Sequence, residues 1–241
     1  MGDEAIREQV AKCSRIMTMK ALIGLYGHLS AYDPQTGRIY LTPGAGSDRA
    51  NVRAEDIWVL SKTGEVLEGS GRIAAEWPIH TAIHSTRADA LAVAHVHAPF
   101  TTVFAIAERE FRPVTLTGAV LLGDGVPLFN ELGLVVAPEQ GQRLAAAIGS
   151  HRALLMRGHG GVIAGGSLEE VLHAALALED NCLKAWQAAA LGPVRWFSDE
   201  ECQAVNQSKR PPSFGGVAWE YYSRVESSWD RQPTTTDNPL G

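Results

Sequence analysis

Apolar positions recur every three to four residues along DEAIREQVAKCSRIMTMKALIGLYG, which predicts an opening helix that stops at Gly27. The period then shortens. HLSAYDPQTGRIYLTP alternates around a DPQTG turn and DIWVLSKTGEVLEG around KTG, so two β-hairpins are expected. AAEWPIHTAIHSTRADA returns to helical spacing, LAVAHVHA reads as a buried strand, and a helix is expected from about Pro99 to Ala107. After a Gly- and Pro-rich middle, the stretch from GLVVAPEQG to KAWQAAA gives strand, helix, strand, Gly-rich turn, strand and long helix. Ser167 and Glu170 have the spacing of a capping box, which starts the long helix there. Helices interleaved with hairpins predict an α/β fold, a mixed sheet covered by helices in one domain. That domain is expected over 1–230, followed by a polar, proline-containing tail over 231–241 that is expected to be disordered.

Composition narrows the function classes. With 241 residues, 45% hydrophobic and 20% charged, the chain can bury a full core. A net charge of -6 without a Lys/Arg cluster argues against a nucleic-acid or anionic-membrane surface and favours small-molecule partners. The charged start MGDEAIREQV and the lack of a long apolar run point to a cytoplasmic protein. Cys13, Cys182 and Cys202 are widely spaced with no CxxC pair, which fits reduced thiols.

The chemistry centres on histidine. Alternation along a strand sends His95 and His97 of AHVHA to the same side, within reach of one ion; a hydrogen-bonded core role fits the pair equally well. A third ligand would decide, and His159 in RGHGG, flanked by glycines at a strand end, is the candidate. Three neutral imidazoles would leave a divalent ion with open positions, as catalytic centres require. Glu76 opens a predicted helix 19 positions before His95; on local grounds alone it fits an acidic residue complementing the helix N-terminus. His80 and His84 share a helix face at i and i+4 but lack the glutamate of HExxH, so surface or packing roles are expected. His28, in YGHLS between helix and strand, sits where small polar loops often bind substrate.

The ordered set of GHLS, LTPG, Glu76 in EW, AHVHA, and GHGG 62 residues after His97 resembles the class II aldolase/adducin family over about residues 5–225. The resemblance implies a single-domain α/β/α sandwich around a mostly antiparallel sheet. It implies one divalent ion per subunit on His95, His97 and His159, with Glu76 as acid/base. Imidazoles suit zinc, iron, cobalt or nickel, and manganese if oxygens join the shell. It also implies a homotetramer with sites near subunit interfaces, where a C-terminal tyrosine, here Tyr222, closes a neighbouring site.

Departures from the family pattern narrow the substrate. The sugar-phosphate aldolases cradle phosphate with a Gly-Asn-Ser-type loop, a Thr-Gly turn and paired serines. Here those positions read His28 in GHLS, Gly44 and Ala45 in TPGAG, and Ala74 and Ala75 in AAEW. Several phosphate-holding side chains are therefore missing, and a carboxylated or uncharged small molecule is favoured. GHLS with RGHG is similar to the branch that decarboxylates hydroxylated aromatic dicarboxylates in aromatic-compound breakdown. On that resemblance His28 and Ser30, with Gly44 and Tyr222, would bind substrate. An aldolase or dehydratase acting on an unphosphorylated substrate is the alternative, ahead of an adducin-like scaffold without metal.

Overall fold

The computed structural model describes residues 2–107, 110–207 and 216–229; the tail expected over 231–241 lies outside them. The elements are α1 (Asp3–Met19), β1 (His28–Asp33), β2 (Arg38–Leu41), a 3-10 turn (Ala54–Asp56), β3 (Trp58–Ser61), β4 (Val66–Glu68), α2 (Trp77–Thr86) and β5 (Ala92–Val96). They continue with α3 (Pro99–Ala107), α4 (Leu116–Leu122), β6 (Leu128–Phe129), α5 (Pro138–Ile148), β7 (Ala153–Met156), β8 (Gly160–Gly165), α6 (Leu168–Ala189), α7 (Asp199–Gln207) and α8 (Val217–Ser228). One sheet runs in the order β4-β3-β2-β1-β5-β8-β7-β6. It is mixed and mainly antiparallel, with β6 and β7 the parallel pair. Both expected hairpins are present, as β1–β2 and β3–β4.

Strand alternation divides the core. Val93 of β5, Leu154 of β7 and Val162 of β8 pack with α2 and α5, through residues such as Ile79 and Leu144. Their neighbours Ala94, Leu155 and Ile163 pack with α1 and α6, through residues such as Ile16 and Val171. Each fully buried aliphatic side chain of Leu or Ile size contributes about 2 kcal/mol. α8 is tied to α1 by the buried pair Arg15 Nε–Glu226 Oε1 at 2.7 Å. All three cysteines are free and buried. Among the described residues no helix is long and apolar enough to cross a membrane.

Three local expectations are corrected. The opening helix ends at Met19, not at Gly27. Ala21 adopts φ 54°, Ala21 N–H donates to Thr18 O and Leu22 N–H to Met17 O, closing a Schellman turn without glycine. Gly27 has another purpose: at φ 93° a Cβ there would press on Ile23 and lie 3.0 Å from His95 O, so only glycine lets the chain enter β1 beside β5. The expected strand in GLVV does not form. Glu76 Oε1 accepts from Val135 N–H and Gln140 Oε1 from Val136 N–H, so side chains take the donors a ladder would use. At α6, Ser167 accepts from Glu170 N–H as a cap should, but the Glu170 carboxylate accepts from Gly166 N–H and Arg152 instead of closing the box.

Candidate active site

Four side chains from distant parts of the chain meet at the middle of the sheet. His95 lies on β5, His97 just beyond its end, His159 in the turn joining β7 to β8, and Glu76 at the N-cap of α2. Their donor atoms all lie within 4.8 Å of one another. The His95 and His97 Nε2 atoms are 2.9 Å apart, and the three imidazoles stand edge to face with centroids 4.6–4.8 Å apart. The chain at β8 is shaped for this approach, because a Cβ at Gly160 would run into the Val96 carbonyl. Glu76 does stand at the helix end, as its local reading has it, but its side chain makes no capping bond. Its Oε1 accepts from Val135 N–H at 2.9 Å, and Oε2 turns inward to 3.5 Å from His95 Nε2 and 3.6 Å from His159 Nε2.

This donor set fits a divalent cation. His95 Nδ1 donates to Gly161 O at 3.1 Å, so in the neutral ring Nε2 turns a lone pair toward the cluster. Burial, then the charges of His95 and His159, push His97 down to about 3, and burial lowers His159, so both rings are neutral near pH 7. Burial alone would raise Glu76. The hydrogen bond and charge of His95, with Val135 N–H and His159, outweigh it and hold Glu76 at about 2. The group is therefore a carboxylate, and its Oε2, turned toward the imidazole nitrogens, favours a bound cation there.

Behind this cluster runs a buried chain of polar groups. His28 pairs directly with His95 across β1 and β5. His28 Nδ1 is 2.7 Å from His80 Nε2, His80 Nδ1 is 2.7 Å from Ser30 Oγ, Ser30 Oγ is 2.8 Å from His84 Nε2, and His84 Nδ1 is 2.8 Å from Ala90 O. Burial depresses His84 to about 4 and His28 and His80 well below 6.5, leaving neutral rings. The Ala90 carbonyl only accepts, so His84 Nδ1 carries a proton and its Nε2 accepts from Ser30. Ser30 then accepts from His80 Nδ1–H, and His80 Nε2 accepts from His28 Nδ1–H. His28 Nε2 is consequently a lone pair, and it is the nitrogen left to the cavity.

The cavity, about 420 Å³, is lined by Tyr26, His28, Arg49, Glu76, His97 and His159 among others. Of the residues expected to bind substrate, His28 therefore faces it. Ser30 is fully buried within the histidine chain and is not among the lining residues. Gly44 donates its N–H to Arg72 O at 2.7 Å, and its neighbour Ala45 reaches the lining instead. Tyr222 lies on α8 against Lys20, whose Nζ is 5.2 Å from the ring centroid, and is not among the residues lining the cavity. His80 and His84 are interior residues, which removes the surface reading and keeps the packing one. Sequence reasoning missed Tyr26, 57% exposed with its ring 5.6 Å from His97, and the buried Arg49. Tyr26 adjoined a motif already singled out, whereas Arg49 sits in SDRAN, which reads as a solvated turn.

Residues 8–186 match the Class II Aldolase and Adducin N-terminal domain. The chain belongs to this family. Its relatives include both decarboxylases and sugar-phosphate aldolases. Decarboxylase NovR of Streptomyces niveus is 31% identical over 148 residues, spanning 61% of this chain and 55% of that protein. A 3,4-dihydroxyphthalate decarboxylase of Arthrobacter keyseri is 25% identical over 241 residues, 92% of this chain and 95% of that one. Among solved structures, an L-fuculose 1-phosphate aldolase superposes with a TM-score of 0.79 at 23% identity, covering 86% of this chain and 97% of that one. The class II aldolase fold follows.

Proposed function

We propose that this class II aldolase family member is a divalent-metal-dependent carbon–carbon lyase that decarboxylates a hydroxylated aromatic dicarboxylate, of the dihydroxyphthalate or hydroxypyridine dicarboxylate type. The observation that carries the reading is a cavity in which the His95–His97–His159–Glu76 cluster faces Ala45, Ala74 and Ala75, so that the positions where the sugar-phosphate aldolases carry phosphate-holding side chains offer no hydroxyl or amide donor. The relatives named as decarboxylases support it at low identity.

His95, His97 and His159 would hold the ion, which when bound supplies Lewis acidity toward an oxygen gaining negative charge. The chain's own groups handle orientation and protons. Glu76, a carboxylate at the start, takes the proton of a ring hydroxyl and returns it to the carbon that bears the departing carboxylate. The electron pair of the breaking carbon–carbon bond then passes into the ring and onto that oxygen, carbon dioxide leaves, and a solvent proton restores the hydroxyl. His28, with its Nε2 lone pair toward the cavity, accepts from a second ring hydroxyl and fixes the ring's orientation. Tyr26 covers the His97 side of the mouth. In the same reading the chain is a single α/β/α sandwich domain over 1–230, working as a cytoplasmic homotetramer in which Tyr222 closes a neighbour's cavity and Gly44 shapes the substrate loop. An unphosphorylated aldol substrate is the second reading, favoured by the relatives named as aldolases.

The test is incubation of zinc- or manganese-loaded protein with 3,4-dihydroxyphthalate and with hydroxypyridine dicarboxylates. Release of carbon dioxide at one equivalent per substrate supports the decarboxylase. Cleavage of an unphosphorylated hydroxy-aldehyde adduct without carbon dioxide would replace it by the aldolase.

A further inference from the structure

Arg49 stands in the cavity wall as a cation without a counter-ion among the described residues. It lies on the loop between β2 and the Ala54–Asp56 turn and is only 3% exposed. Nη1 donates to Pro43 O at 3.0 Å, while Nε and Nη2 are buried without a hydrogen-bond partner among the described residues. The nearby acids are engaged elsewhere. Asp48 accepts from Ala50 N–H and Asn51 Nδ2, and Glu76 accepts from Val135 N–H and faces the histidine cluster. Burial lowers Arg49 only to about 10, so it is charged near pH 7, and its field depresses both His28 and His97.

A buried, unpaired guanidinium is among the most unfavourable groups a fold can retain. Nε and Nη2 share one edge of the guanidinium plane, the edge whose two parallel N–H bonds match the two oxygens of a carboxylate. We propose that this edge of Arg49 grips a substrate carboxylate, and specifically the one that remains on the ring. Holding the departing carboxylate by a cation would stabilise the charge that must be lost with carbon dioxide, and so favour the ground state over the transition state. A second carboxylate, held by Arg49 while the first leaves, accounts for a diacid substrate. The assignment rests on the decarboxylase reading above, and it gives one fixed point for each end of the ring: Arg49 for the retained anion and His28 for a hydroxyl.

Calorimetric titration of the zinc-loaded full chain tests it with three probes: 3,4-dihydroxybenzoate, which carries a single carboxylate, catechol, which carries none, and inorganic phosphate. The wild type is expected to bind dihydroxybenzoate at least about tenfold more tightly than catechol. In Arg49→Met that gap falls below about threefold, catechol affinity stays within about twofold, and the melting temperature holds or rises because a buried unpaired charge is gone. Arg49→Lys keeps the charge without the side-on fork; it narrows the gap by about half or more, and it serves if the Met variant does not fold. An unchanged gap in these variants overturns the proposal while leaving the decarboxylase reading intact. Equal loss of catechol and dihydroxybenzoate also overturns it, since Arg49 would then be architectural. Arg49-dependent binding of phosphate, with neither aromatic bound, overturns the carboxylate assignment and the decarboxylase reading together.

Discussion

Replacing Ser30 by alanine removes one oxygen and tests the buried chain of imidazoles. Its Oγ bridges His80 Nδ1 at 2.7 Å and His84 Nε2 at 2.8 Å, and all three residues are at most 1% exposed. Without the hydroxyl, a buried N–H donor on His80 and a buried lone pair on His84 both lose their partner. Each unsatisfied buried group costs about 1–3 kcal/mol, so with two such groups the fold should lose about 2–6 kcal/mol. The loss comes with little change in apolar packing, because alanine fits where serine was. Urea denaturation at fixed protein concentration, pH 8, would measure it, with an unchanged dependence on denaturant showing that the unfolding reaction is the same. Ser227→Ala is the control: its hydroxyl donates to Ser223 O on the exposed side of α8, and the change should stay within about 0.5 kcal/mol. Nitrogen-15 spectra of the imidazoles give an independent readout, since wild-type His28 should carry its proton on Nδ1 and the variant should release that restriction. A loss below about 1 kcal/mol, with His28 protonated on Nε2 in the wild type, would refute the bond directions deduced for the chain.

Three further outcomes follow from the same geometry. His159→Ala should lower affinity for a divalent ion by about a hundredfold or more, seen as metal lost on dialysis and measured by elemental analysis, because one of three clustered imidazoles is gone. Glu76→Gln keeps an acceptor for Val135 N–H but cannot carry the proton; kcat should fall by about 10²–10⁴ while thermal stability changes little, as turnover and melting assays would show. His84 is held at about 4 against 6.5 when unfolded, so the unfolded chain binds its proton first: this stability is complete above pH 6.5 and is lost as pH falls through that value toward 4. At pH 5 the loss amounts to about 2 kcal/mol, and His84→Gln should flatten the pH dependence of urea stability between pH 8 and 5 by about that amount.

Periodicity carried much of the fold. The two hairpins, β5, α3 and the Ser167 start of α6 were legible because alternation and capping are local properties. The end of α1 was not, since Ala21 takes a left-handed conformation that a sequence pattern assigns to glycine, and GLVV failed as a strand because Glu76 and Gln140 claim its backbone donors. At the site, strand alternation sufficed to put His95 beside His97, and the glycines around His159 marked a strand end. Glu76 came from the family pattern, its local signal being that of a helix-end acid. The roles of His80, His84 and Arg49 depend on which side of a helix or loop is covered by distant chain, and no spacing along the sequence encodes that.

The pairing of His28 with His95 also constrains how the sheet can assemble. A shift of β1 by one position against β5 would carry His28 and Ser30 to the opposite side of the sheet, into the layer now filled by Leu29 with α1 and α6, while bringing apolar groups against His80 and His84. Every imidazole in the row would then be stranded without its complement. The same side chains that prepare the cavity for a ligand thus act as a key that admits one alignment of the central strands and makes the misaligned ones expensive.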